Sequence, residues 1–197
     1  MTTSIRSETT RSVVVVNGVD VLSVKPDGNL DILTTTGLTD THIPLMKQFS
    51  TITTTSGTSH DQLNIPSWAK KITISLNGVS TNGASNLQIQ LGTSSGIENS
   101  GYIGGAEINV AVTLNSTGIQ LTRASGASSV IDVSIILHKQ IGNTWIVAGT
   151  FFISDVARVG YINGKKALAN TLDRIRLTTV NGTDQFDAGS FSVLVEG

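Results

Sequence analysis

The sequence predicts an all-β fold, an antiparallel jelly-roll-like β-sandwich preceded by a small N-terminal β-hairpin segment, and three observations carry that expectation. Turn dipeptides punctuate the chain: Asn17-Gly18, Asn77-Gly78, Asn82-Gly83, Asn163-Gly164 and Asn181-Gly182, with Asp27-Gly28 beside them. Asn and Gly tolerate the positive φ that type I′ hairpin turns require, so each pair marks a candidate strand reversal. Short runs rich in Val, Ile and Thr lie between these turns, without strong helical periodicity. Short strands with no crossover helices pair antiparallel, because parallel neighbours need long connections.

Residues 13–16, the Asn17-Gly18 turn and residues 19–24 read as a first hairpin. Pro26-Asp27-Gly28 then turns the chain into a third strand at 30–34. Three strands of this size are only marginally stable alone. Residues 35–50 break the pattern, and Ser, Thr and Gly crowd residues 50–59. The chain is therefore expected to divide into an N-terminal docking or stalk segment, residues 1–50, and a β-sandwich head, residues 60–197.

Candidate strands of the head are 62–65, 71–76, 86–91, 107–114, 118–121, 130–137, 144–152, 165–168, 173–179 and 190–195. Alternation puts Ile72, Ile74 and Leu76 on one face, and repeats in Leu87, Ile89 and Leu91. Ile175, Leu177 and Thr179 follow the same rule, as do Phe191, Val193 and Val195. Pro66 fixes its own φ just before Trp68 and would let the indole cover one end of the sandwich. Asp184 and Asp187 flank Phe186 in a turn-rich stretch, where carboxylates accept backbone N–H groups.

Composition narrows the function. Charged residues make up 14% of the 197, against roughly 25% in ordinary domains, while 39% are hydrophobic. A chain of this size buries enough surface for a core without staples. The absence of cysteine removes disulfides, thiolate metal sites and thiol nucleophiles together. A net charge of −1 leaves no field to gather nucleic acid or an anionic membrane, so neither is an expected partner. The longest apolar stretches, 130–137 and 145–152, fall far below the roughly 20 residues of a span, so no membrane insertion is expected. Residues 1–12 are polar and read as no signal peptide.

Catalytic constellations do not assemble in the sequence. The histidines are His42, His60 and His138, without HExxH spacing, and no GxSxG elbow occurs. His60-Asp61 with a serine makes a triad only because serine is so common here. Gly92 to Gly96 and Gly104-Gly105 read as hairpin loops, since no helix follows to present N–H groups to phosphate. Asp173, Asp184 and Asp187 lack the spacing of an EF-hand loop. The expectation is a non-enzyme with no catalytic, metal or cofactor-binding residue and no cofactor.

Two stretches, IPSWAKKITISLNGVSTNGASNLQIQLGTSSGIENSGY at 65–102 and LDRIRLTTVNGTDQFDAGSFSVLVEG at 172–197, cover about a third of the chain. They resemble a module of tailed-bacteriophage and prophage fibre proteins. That pattern runs from Ile-Pro-x-Trp through Asn-Gly-Val-Ser to Leu-Gly-Thr, then closes with Thr-x-Asn-Gly-Thr-Asp-x-Phe-Asp-Ala-Gly-Ser. VVVVNGVDVLSVKPDGNL at 13–30 is similar to the hairpin preceding the module. The resemblance implies a virion component assembled in the host cytoplasm, a β-sandwich and a homotrimer. It brings no catalytic residue, and it does not separate tail fibre from head fibre or capsid decoration protein.

On this reading residues 1–50 contact other virion proteins, and the head meets a glycan or protein of the host surface. Receptor contacts are expected on the loops 92–102, 122–129 and 160–164, where Tyr102 and Tyr161 offer flat, low-entropy contact area. A capsid decoration or cement protein is one alternative. A carbohydrate-binding module is another, with Trp68, Trp145, Tyr102 and Tyr161 as sugar platforms. Phe49, Phe151, Phe152, Phe186 and Phe191 read as core or interface residues.

Overall fold

The computed structural model describes residues 45–197, apart from 110, 124 and 128, and within residues 1–44 the backbone of four strands. The chain forms two units, Met1–Ile43 and Pro44–Gly197. In the first, β1 (Thr3–Glu8), β2 (Arg11–Val16), β3 (Val19–Val24) and β4 (Leu30–Ile32) make one antiparallel sheet in chain order. The strand β1 was not expected from the sequence, because TSIRSE carries one large apolar residue and shows no alternation. The Asn17-Gly18 and Asp27-Gly28 dipeptides lie outside the described residues.

The second unit is the expected all-β sandwich of two antiparallel sheets. Its strands are β5 (Met46–Gln48), β6 (Ile52–Thr53), β7 (Ser59–Leu63), β8 (Lys71–Thr81), β9 (Leu87–Thr93), β10 (Gly96–Ile97) and β11 (Tyr102–Ile108). They continue with β12 (Ala111–Leu114), β13 (Ile119–Gln120), β14 (Ile131–Lys139), β15 (Thr144–Ile153), β16 (Arg158–Ala167), β17 (Arg174–Thr179) and β18 (Phe186–Glu196). A nine-stranded sheet runs β12-β11-β16-β15-β14-β8-β18-β5, with β6 also on β18. A five-stranded sheet runs β10-β9-β17-β7, with β13 on β9. All the pairings are antiparallel. Among the described residues, helix is confined to one 3-10 turn, Ser154–Val156.

The core lies where the two inner faces meet, and the alternation read from sequence selects it. Ile72, Ile74 and Leu76 are buried, as are Leu87, Ile89 and Leu91 on the opposing sheet. Ile175, Leu177 and Thr179, and Phe191, Val193 and Val195, are buried with them. Glycine makes room where bulky side chains cross. A Cβ at Gly160 would strike the Phe151 ring at 2.3 Å, and one at Gly164 would lie 2.7 Å from Ile119 Cδ1.

Several boundaries differ from the sequence expectation. Asn77-Gly78 does not reverse the chain, because β8 runs straight through it to Thr81. Gly78, at φ +61°, instead forms a bulge: Leu76 faces Val133 and Val79 faces Ile131, and the Gly78 N–H donates to Asp132 Oδ1 at 2.8 Å. Asn163-Gly164 likewise lies inside β16, so the expected loop 160–164 is strand. The single strand expected at 107–114 is broken into β11 and β12 at Asn109, which has φ 51°. Asn82-Gly83 and Asn181-Gly182 do lie beyond the strand ends, in bends that carry the chain between the two sheets. Finally, β5 pairs with Leu194, Val195 and Glu196, so residues placed in the 1–50 segment belong to the sandwich.

Candidate functional site

The two outer faces of the sandwich differ in chemistry. On the small sheet, β7, β9 and β17 align Ser59, Gln88 and Thr178 in one row and Asp61, Gln90 and Arg176 in the next. Their neighbours Ile89, Leu91, Ile175 and Leu177 point into the core, so this outward set is wholly polar. Gln88 and Gln90 are nevertheless only 3% and 8% exposed. The chain between β12 and β13 closes over them. Asn115 Nδ2 donates to Gln88 Oε1 at 2.6 Å, and Gln90 Nε2 donates to the Thr117 carbonyl at 2.9 Å. A second bond from Gln88 Nε2 to the Thr179 carbonyl, at 3.1 Å, ties this row to the end of β17.

The result is a polar groove of about 330 Å³, rimmed by Thr58, Asn99, Thr117 and the 179–182 turn. Arg176 donates Nε and Nη2 to the two Asp61 oxygens at 2.7 and 2.8 Å. This bond holds the guanidinium above its ordinary pKa against the opposing effect of burial, with the Asp61 charge adding to it. The pair cancels in net charge, leaving a groove of amides, hydroxyls and a neutralised guanidinium.

The outer face of the large sheet carries more exposed apolar side chains, interleaved with polar ones such as Lys165, Asn163 and Glu107. Ile103 on β11, Val112 and Leu114 on β12, Val159 and Tyr161 on β16, and Ile146 and Phe152 on β15 are all exposed. Cross-strand register gathers them: Phe152 faces Val159, Lys165 lies between Ile103 and Ile146, and Tyr161 lies between Glu107 and Thr150. Exposed apolar side chains grouped in this way, with Lys165, Asn163 and Glu107 set among them, suit a contact surface. A signal for it stands in the sequence. TWIVAGTFFI is rich in apolar residues at both parities, the pattern of a strand covered on both faces, whereas this sandwich covers one.

The two tyrosines singled out from sequence are separated. Tyr102 is 3% exposed and cannot serve as a contact platform. Its hydroxyl accepts the Leu91 N–H at 2.6 Å and donates to the Glu98 carbonyl at 2.8 Å. Burial raises its pKa, partly offset by the Leu91 N–H and reinforced by the Glu98 charge. Tyr102 reads as a loop residue in sequence because glycines precede it, yet it opens β11 on the core face. Tyr161 is 61% exposed, but it lies on the strand face and not on a loop at the sandwich end. Trp145, offered as a sugar platform, is buried, with Nε1 lacking a hydrogen-bond partner. Trp68 is partly buried against the core beside the C-terminal Gly197, close to its expected place at one end. Of the phenylalanines, Phe152 is exposed while Phe151, Phe186 and Phe191 are core.

Asp184 acts as the turn acceptor its setting implies. Its Oδ2 takes the Ser85 N–H at 2.9 Å and its Oδ1 takes Asn181 Nδ2 at 2.6 Å. Asp173 pairs with Arg174 at 2.7 Å. Among the described residues no three His, Asp or Glu side chains gather in a way that could hold a metal ion.

Comparison with protein-family models, with curated proteins and with solved structures finds no match.

Proposed function

We propose that this chain is a structural subunit of a tailed-phage virion, of the fibre or spike kind, and that its work is architectural and not catalytic. The observation that carries the reading is the set of exposed apolar side chains on the outer face of the large sheet. Seven large apolar side chains in water are a standing cost for a monomer, and contact with further copies of the chain reduces it. The weak net charge of −1 lets copies approach without mutual repulsion. The subunit assembles as a homotrimer through this face, while the N-terminal unit meets other virion proteins.

The two stretches that resemble fibre modules support the same reading by where they meet. Block 65–102 contributes β8 and β9, and block 172–197 contributes β18 and β17, which pair with them in the two sheets. Their turns clasp as well: the Asn82 N–H donates to the Gln185 carbonyl at 2.9 Å, and the Gln185 N–H donates to Asn82 Oδ1 at 2.9 Å. Motif residues used in this way are scaffold.

Light scattering on the purified chain tests the assembly. A trimer is expected, and Leu114→Glu with Tyr161→Glu should convert it to a folded monomer. A wild-type chain that stays monomeric at all concentrations removes the reading. Labelling of assembled particles then distinguishes a fibre from a capsid decoration protein.

A further inference from the structure

We propose that the polar groove on the outer face of the small sheet binds a neutral saccharide unit. This rests on the reading of the chain as an attachment component of a particle, and it names the partner class and the residues. Assembly through the large sheet covers one side of the sandwich and leaves the groove on the other side free. The site is not the loop set carrying Tyr102 and Tyr161, and it draws on residues that sequence patterning presents as an ordinary strand face.

Three features set the ligand chemistry. First, the walls are built: Gln88 and Gln90 are buried carboxamides held by Asn115, Thr117 and Thr179, so their orientation precedes any ligand. Gln88 Oε1 already accepts from Asn115 and Thr117, so each prepositioned amide offers a ligand hydroxyl its second N–H. Second, groups remain to meet a ligand. Among the described residues the Asn99 amide and the Ser59 hydroxyl have no side-chain hydrogen-bond partner, and Arg176 keeps Nη1 after pairing with Asp61 through Nε and Nη2. Third, Asp61 cancels the Arg176 charge, so the groove favours an uncharged polyol over a phosphate or a sialic acid. At about 330 Å³ the volume is at the small end of ligand sites, with room for a monosaccharide unit. No aromatic ring lines it, so binding rests on hydrogen bonds, is weak, and reaches a useful strength through several copies on one particle.

The test uses the full purified chain, with amide chemical-shift mapping against a panel of neutral hexoses, deoxyhexoses and N-acetylhexosamines. Inorganic phosphate and sialic acid are the charged controls. At least one neutral sugar should shift Ser59, Gln88, Gln90, Thr117 and Arg176 together, with a roughly millimolar Kd. Asn99→Ala, at an exposed loop position, should weaken that binding about fivefold without changing the fold. Ser59→Phe should fill the groove and abolish binding, and Tyr161→Ser on the opposite face should leave it unchanged. No shift across the neutral panel, shifts confined to other residues, or tighter binding of the charged controls would each overturn the proposal. Because binding is read on the free protein, a failure of the virion reading shows up separately, in particle labelling.

Discussion

Lys166 Nζ lies 2.6 Å from Glu98 Oε2, linking the inner side of β16 to the segment before β11, and the lysine side chain is only 7% exposed. Glu98 Oε1 also takes the Ala169 N–H at 2.9 Å, and the ammonium stands 5.3 Å from the Tyr102 ring centroid. Burial pushes the Glu98 carboxyl up, but the Lys166 hydrogen bond, the Ala169 N–H and the Lys166 charge outweigh it and leave its pKa lowered. The cluster pins the 98–101 segment against the sheet edge. Glu98→Gln leaves a buried ammonium without its counter-charge and should lower stability by about 2–3 kcal/mol. Lys166→Met removes both the charge and the need for a partner, and should cost less. Urea denaturation of the two variants reads the difference, and equal losses would mean that the pair contributes no charge-specific stability.

The paired bulges at β8 and β18 make a second prediction. Gly189 has φ +98°, and a Cβ there would lie 2.5 Å from the Val79 Cα and 2.6 Å from the Gly78 carbonyl oxygen. Gly189→Ala should therefore destabilise by about 2–3 kcal/mol, through strain and backbone contact together. Gly142 also has positive φ, +67°, but nothing stands within 4 Å of its Cβ position. Gly142→Ala should lose only about 1 kcal/mol. Thermal unfolding of both separates close packing from conformational preference.

Truncation tests where the sandwich begins. A chain of residues 44–197 should fold as a soluble sandwich. Removal of residues 1–50 also takes β5, the Gly197 N–H bond to the Leu45 carbonyl at 2.9 Å and the Phe49 N–H bond to the Val193 carbonyl at 3.0 Å. It bares an edge of β18 and should lower Tm by about 5 °C relative to 44–197. Equal melting temperatures would return the boundary to residue 50.

His60 sets a pH response. Its ring meets Phe186 edge-on at 4.9 Å, and its Nε2 is buried without a hydrogen-bond partner. Burial lowers its pKa below the ordinary 6.5, against the opposing effects of the Ser56 backbone bond and the Asp61 charge. The folded chain thus holds His60 neutral where the unfolded chain takes up a proton. Stability is full above about pH 6.5 and declines as the pH falls below it. Denaturation between about pH 7.5 and 5.5 should show this loss in the wild type and a smaller one in His60→Gln. The lowered Glu98 carboxyl acts in a more acid window, where its stability is lost as the pH falls through its folded pKa. An unchanged slope in His60→Gln assigns the response elsewhere.

The sequence by itself determined which side is core in the four strands where alternation is clear. Ile72, Ile74 and Leu76, or Phe191, Val193 and Val195, are settled by a period-two pattern that is local to a few residues. It also determined that the unit is strand and turn throughout, and that Asp184 ends a turn. Only the tertiary structure decided which Asn-Gly pairs reverse the chain. The same positive φ that closes a hairpin makes a bulge when a partner strand continues past it, as Val133 and Ile131 of β14 do beside Gly78. The burial of Tyr102 was likewise decided by distant contacts, since the Lys166 that lies over its ring is 64 positions further along. The polar groove follows the same logic. Gln88 and Gln90 look solvated in their own strand, and become walls only because residues 115–117 fold back over them.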